Sequence, residues 1–242
     1  DVINKNINEE DIINSTNMLF RGGWTNVKLY FMIGLPTETM DDVCGIADLA
    51  QKVLEVYFAI PKEERAKQIN ITVSTSSFVP KPFTPFQWAS MHDPEDYIAR
   101  AKVVNDTVKE QLNRKSIKYN WHEADVTVLE GVLARGDRKV GNVIRTVYER
   151  GGIFDAWSEY FDYQRWLDAF AECGVDMDFY TKRERSLDEV FPWDFIDTGV
   201  TKEFLKREWQ NAMEENVTPN CRMRCSGCGA AQFKTGVCMA ER

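Results

Sequence analysis

Two hydrophobic rhythms alternate along the first half of this chain. Val27-Lys-Leu-Tyr-Phe-Met-Ile-Gly34 is a nearly continuous apolar run of strand length. Such a run predicts a strand buried on both faces, as in a parallel sheet. Asn70-Ile-Thr-Val-Ser-Thr-Ser-Ser77 is rich in β-branched residues and predicts a second strand; Ile117–Trp121 predicts a third at a similar interval. Helical spacing fills the gaps. Asn8-Glu-Glu-Asp11 reads as an N-cap with an acidic first turn, opening a helix that runs to about Phe20 and stops at Gly22-Gly23. Thr39 and Asp42 stand at capping-box spacing before a helix reaching about Phe58. After the proline-rich loop Pro80-Lys-Pro-Phe-Thr-Pro85, Asp93-Pro94-Glu95 supplies a cap and an N1 proline for a helix ending near Asn113.

Strands alternating with helices of this length predict βαβ units with right-handed crossovers, so the expected fold class is α/β. From Val126 onward the pattern is helical: Val126–Ala134, Lys139–Arg150, Glu159–Cys173 and Thr201–Glu215. Ser186-Leu-Asp-Glu189 has the spacing of a capping box for a short helix before Phe191-Pro192. This divides the chain into residues 1–135, which hold the strands, a helical extension over 136–217, and a cysteine-rich tail over 218–242.

The tail changes the picture most. Four of six cysteines, Cys221, Cys225, Cys228 and Cys238, lie there, three of them in a C-x3-C-x2-C run. Thiolates this close, with Gly227 and Gly229 to let the backbone fold round a centre, suit a metal or an iron–sulfur cluster. The other reading, a disulfide framework, belongs to small secreted domains, and no signal-peptide pattern opens the chain. No stretch reaches 18 apolar residues, so no membrane span is expected and the expected compartment is cytoplasmic. A net charge of −8 argues against general nucleic-acid binding. From Thr218, however, Arg222, Arg224, Lys234 and Arg242 face only Glu241. They can offset a thiolate cluster, meet an anionic partner such as RNA, or form a solvated face. The chain begins at Asp1 without methionine, and the expectation is a part of a longer protein.

Gly34-Leu-Pro-Thr-Glu-Thr39 sits where a buried strand ends and a helix begins, the edge where parallel α/β folds bind ligands. A plain βα turn explains the same residues. His122, one of only two histidines, ends the third strand beside Glu123, a position suited to proton transfer or substrate contact, or to a purely structural role. Lys81 and Gln87 in the proline-rich loop are further contact candidates. Arg135-Gly-Asp137 reads as a helix-linking turn, Trp157, Trp166 and Trp193 as core, and Cys44 and Cys173 as buried thiols.

Several of these segments resemble one family. Leu29-Tyr-Phe-Met-Ile-Gly-Leu-Pro-Thr-Glu-Thr39 is similar to the fifth strand and following turn of the radical S-adenosylmethionine barrel. Phe78-Val-Pro-Lys-Pro-Phe-Thr-Pro-Phe-Gln-Trp88, Arg135-Gly-Asp-Arg138 and Ile196-Asp-Thr-Gly-Val-Thr201 look like the cobalamin-binding members of unknown substrate, and Asp1-Val-Ile-Asn-Lys5 resembles the segment after their fourth strand. The resemblance implies the C-terminal portion of a partial TIM-type barrel. It also implies a four-iron four-sulfur cluster that reduces S-adenosylmethionine to methionine and a 5′-deoxyadenosyl radical. The family's catalytic cysteines follow its first barrel strand. They would therefore belong to a missing N-terminal half, with any cobalamin site, and Cys221, Cys225 and Cys228 would not be that triad.

By the same resemblance Gly34, Leu35, Pro36 and Glu38 shape the S-adenosylmethionine pocket, while Ser77, Phe78 and Val79 lie near the adenine. The tail departs from the family where Ala230-Ala231 stand in place of another cysteine. Its C-x3-C-x2-C-x9-C arrangement is left to bind zinc, an auxiliary cluster, or nothing stable. The expected activity is an iron–sulfur radical enzyme, an oxidoreductase of unknown substrate, inactive as the isolated chain. The alternative is a zinc-binding structural module, or one that engages RNA or protein. A barrel cut before its fifth strand leaves an apolar edge that favours self-association.

Overall fold

The computed structural model describes residues 2–233, and the chain forms two compact units. The first comprises residues 3–78 and 94–124; the second comprises 79–93 and the chain from Asp125 onward.

The first unit is α/β. Its elements are α1 (Glu9–Arg21), β1 (Asn26–Ile33), α2 (Met40–Ala59), β2 (Asn70–Ser77), α3 (Pro94–Glu110) and β3 (Ile117–Trp121). The strands are parallel and lie in chain order, β1-β2-β3. Val27, Ile71 and Ile117 share one register level, and Leu29, Val73 and Tyr119 the next. The capping boxes fold as their spacing dictates. Asn8 closes the start of α1 with Asp11, and Thr39 closes α2 with Asp42. On α2, Val43, Ala47, Ala50, Val53 and Leu54 recur at helical spacing and are all wholly buried. They form one core with Phe20 of α1, Val104 of α3 and the sheet residues Leu29, Ile71, Val73 and Ile117. Each large aliphatic side chain buried there contributes about 1.5–3 kcal/mol.

One expectation for this unit fails. β1 is not buried on both faces: its residues alternate, with Asn26, Lys28, Tyr30 and Met32 exposed. α1, α2 and α3 all contribute to the core on the opposite face of the sheet. The apolar run therefore supplies one buried face and one open face. On the open face the Lys28 ammonium lies over the Tyr30 ring at 4.6 Å.

The second unit is helical. Its elements are α4 (Ala124–Arg135, whose first residue closes the other unit), α5 (Arg138–Glu149), α6 (Tyr163–Glu172), α7 (Met177–Thr181) and α8 (Lys202–Met213). Val132, Val143, Val147, Trp166 and Phe170 form its larger core. Trp88, Phe191, Trp193 and Leu205 form a second, aromatic cluster. Between helix ends sits a fully buried Arg135, whose guanidinium donates to the carbonyls of Ala89 (2.6 Å) and Thr181 (3.0 Å). A buried cation whose two terminal nitrogens donate to backbone carbonyls ties three chain segments together.

Here too the sequence expectations need correction. The helix expected over Glu159–Cys173 starts at Tyr163, because the Asp162 side chain caps it there. Ser186–Glu189 forms a turn and no helix, since the Glu189 carboxylate is taken by Arg183 instead of reaching back to the turn's first amide. Trp166 and Trp193 are buried as expected, but Trp157 is 61% exposed. It lies in the irregular segment before α6, where helical periodicity does not apply. Cys44 and Cys173 are half-buried. The Arg135–Asp137 turn does link two helices, with Asp137 capping α5. No helix among the described residues is long and apolar enough to cross a membrane.

Candidate site at the carboxyl edge of the sheet

The three parallel strands deliver their C-terminal ends to one edge, and most of the sequence candidates of the first unit lie along it. After β1, Gly34 adopts φ +80°, a conformation that a side chain would strain. Its amide donates to both carboxylate oxygens of Glu38, each at 2.9 Å. The Glu38 amide in turn donates to the Leu35 carbonyl at 3.2 Å, so Gly34 to Glu38 forms a closed loop around Pro36. Thr37, inside that loop, is a non-glycine residue at φ +68°.

The Glu38 carboxylate also accepts from the Arg100 guanidinium at 2.9 Å, and both side chains are largely buried (7% and 14% exposed). Glu38 is thus engaged by the turn and by α3. It shapes the site by holding backbone in place, and the carboxylate is not presented as a free acid or base. Sequence reading picked out Glu38 but missed Arg100, 62 residues downstream. Helical position alone marks Arg100 as one more charged residue of α3.

After β2, the Phe78 amide donates to the Ile33 carbonyl at 2.8 Å, extending the ladder one residue past Ser77. Phe78 is buried, and its carbonyl accepts from the Tyr97 hydroxyl at 2.8 Å. Ser77 and Val79 are half-buried, and Val79 begins the second unit. After β3, the His122 amide donates to the Thr75 carbonyl at 3.3 Å, while its side chain and that of Glu123 are exposed. Beneath, on the core face, the Tyr119 hydroxyl pairs with Thr75 Oγ1 at 2.7 Å, and burial pushes its ionisation upward. The edge therefore offers fixed backbone groups from two strand ends and one exposed imidazole at the third.

A larger cavity of about 610 Å³, lined by Tyr57, Arg65, Ile69 and Ser116 among others, lies at the opposite ends of the strands. In parallel sheets ligands bind beyond the carboxyl ends, so size alone does not make that cavity the site.

The tail thiols belong to the second unit. Cys221 is exposed, Cys225 and Cys228 are half-buried, and Cys238 lies outside the described residues. Among the described residues no group of three or more His, Cys, Asp or Glu is placed to hold a metal ion. Protein contacts fix the segment that contains them. The Cys228 carbonyl accepts from the Thr201 amide at 2.9 Å, and Arg207 donates to the Ser226 carbonyl. Phe233 packs so closely on Gly199 that a Cβ there would fall 2.2 Å from its ring.

No family model matches the chain, and no solved structure matches it. It is similar to the uncharacterized protein MJ0966 of Methanocaldococcus jannaschii, with 27% identity over 173 residues covering 72% of this chain. The chain spans about a third of that relative's length (35%).

Proposed function

We propose that residues 1–135 are the later strands of a radical S-adenosylmethionine barrel whose remaining strands belong to the same, longer protein. The observation that carries this reading is the winding of the first unit. Its parallel strands lie in chain order, and α1, α2 and α3 share a core with one face of the sheet. A doubly wound sheet takes helices on both faces, whereas a barrel keeps them all outside and turns its other face inward. The open face, with Lys28, Tyr30, Thr72, Ser74, Lys118 and Asn120 at matching levels, then lines the barrel interior. The free edge of β1 takes the preceding strand. In the isolated chain the same edge pairs with a second copy. A relative much longer than this chain is consistent with further strands in one polypeptide.

In this reading Gly34 to Glu38 form one wall of the S-adenosylmethionine pocket. The Arg100–Glu38 pair fixes the turn before the ligand arrives, so no ordering cost falls on that turn when it binds. Ser77, Phe78 and Val79 lie by the adenine. His122 and Glu123 reach the carboxyl edge from β3, with His122 available to hold or move a proton on the substrate. A four-iron four-sulfur cluster would be held by cysteines outside this chain and would supply the electron for reductive cleavage of S-adenosylmethionine. Any cobalamin also binds outside this chain. The whole protein is a cytoplasmic radical oxidoreductase, and the chain alone does not start radicals.

The test is anaerobic reconstitution of the full-length protein with iron and sulfide, followed by reduction with dithionite. Formation of 5′-deoxyadenosine and methionine, reduced by Gly34→Val, is the expected result. Protein that binds no iron, or binds it without cleaving S-adenosylmethionine, overturns the reading. Metal analysis before and after replacing Cys221, Cys225 and Cys228 with alanine examines the tail separately, for zinc or an auxiliary cluster.

A further inference from the structure

The second unit contains a cavity of about 320 Å³ that plays no part in the barrel reading. Its walls are mostly apolar, from Phe83, Val200 and Leu205, with Phe195 and Ile196 exposed at its margin. Gln87, only 2% exposed, lines it from the turn Pro85–Trp88. The Gln87 amide orientation is set by its surroundings. Its Oε1 accepts from the Trp193 indole at 2.9 Å and from the Phe83 amide at 3.3 Å. Phe83 itself is held at φ +59°, strained for an aromatic residue. With Oε1 committed to those two donors, Nε2 is the Gln87 atom left to donate into the cavity.

The other polar groups narrow the ligand. Lys202 is spent, with its ammonium 2.6 Å from Asp194 and 2.7 Å from the Glu189 carbonyl. Asp197 uses Oδ1 to receive the Gly199 amide at 2.8 Å and the Gln232 amide at 3.4 Å, leaving Oδ2 as an acceptor. Two carboxylates against one ammonium leave the cavity net negative and disfavour a phosphate or other anion. The remaining demand is for an acceptor atom, to receive Gln87 Nε2, and a donor, to meet Asp197. The ligand should also have flat apolar faces for the walls. An amide N–H meeting a ring nitrogen and a carboxylate receiving an exocyclic amino group are pairings that suit adenine and cytosine. The volume, at the low end for small-molecule sites, suits one ring system.

We propose that this cavity binds a single amino-bearing nucleobase, with its sugar and any phosphate outside. The inference is independent of the barrel reading, because that reading assigns no role to any residue lining this cavity. The base has two sources, a free nucleoside or one nucleotide of single-stranded RNA.

Titration of the full chain with adenosine, cytidine and uridine, followed by tryptophan fluorescence and calorimetry, tests it. Parallel titrations use short single-stranded RNAs of adenine or of uracil. Binding of adenosine or cytidine at least about tenfold tighter than uridine is expected, since uridine lacks the amino group. Gln87→Glu keeps an acceptor for Phe83 and Trp193 but removes the donor, and should weaken binding by about tenfold. Asp197→Asn keeps the Gly199 contact, guards against misfolding of the first variant, and should also weaken binding. Binding of the adenine strand without free adenosine assigns the base to RNA and upholds the cavity. Equal uridine binding, loss of neither affinity in the variants, or no binding of any probe overturns the proposal.

Discussion

The two units solve the same problem of burial with different materials. In the first, α2 and the sheet meet through aliphatic side chains, and the buried hydroxyls of Thr16 and Thr75 bond to their own helix and to Tyr119. In the second, side chains from distant segments are joined by buried polar groups: Arg135 between Ala89 and Thr181, and Gln87 between Phe83 and Trp193. Aliphatic packing is non-directional and follows from period alone, whereas a buried hydrogen bond demands one partner at one distance. The first kind of core tolerates change of shape; the second does not tolerate loss of a partner.

The sharpest way to break the comparison is Arg135→Ala. It takes the donor from the Ala89 carbonyl and one of two donors from the Thr181 carbonyl, leaves a void between α4 and α7, and should cost the second unit about 4 kcal/mol, read as lost amide protection in α4 and α7. If the cost is below about 1 kcal/mol, the polar tie is not what holds that unit. The matching change in the first unit, Leu54→Ala, creates a cavity in an aliphatic core and should cost about 3 kcal/mol in denaturant unfolding.

At the sheet edge, Glu38→Ala strands a largely buried Arg100 and frees the Gly34 amide, for an expected loss of about 2 kcal/mol. Glu38→Gln, which can still accept from that amide, should recover part of it. Thr39→Ala removes the cap of α2 and should cost about 1 kcal/mol, visible as fraying of its first turn by hydrogen exchange.

The smallest effect is electrostatic. Hydrogen bonds from Arg183 hold the Glu189 carboxyl below its ordinary value of 4.5. A depressed folded value means the pair's contribution is full above the unfolded value and lost as the pH falls through the folded one. Both groups are partly exposed, so about 0.5 kcal/mol is expected. Wild type and Arg183→Ala should differ by that amount near neutrality and converge in acid.

The sequence made the first unit legible because its signals are local. The caps at Asn8 and Thr39 lie within one turn of the residues they satisfy, and the three strands announce themselves by β-branched or apolar runs. The same logic misjudged β1, because an apolar run records what can be buried and not how many layers arrive to bury it. At the candidate site the turn from Gly34 to Glu38 was visible as a motif. Its anchor was not, since Arg100 carries no signal linking it to a residue 62 positions away.

The second unit shows the limit most plainly. Its helices were foreseeable, but Ser186–Glu189 was read as a capping box until Arg183 competed for the glutamate, and Trp157 was counted as core in a segment that has no period. The sequence alone determined the alternation of strand and helix, the caps, the glycine turn after β1 and the crowding of thiols near the C-terminus. Tertiary structure alone decided which sheet face is open, where Glu38 spends its charge, and which contacts hold the segment that carries Cys225 and Cys228. It also left Gln87 with a donor to offer in a cavity. Local signals follow from torsions and hydrogen bonds within a few residues. The rest depends on partners brought together only by folding, through distances that no spacing along the chain encodes.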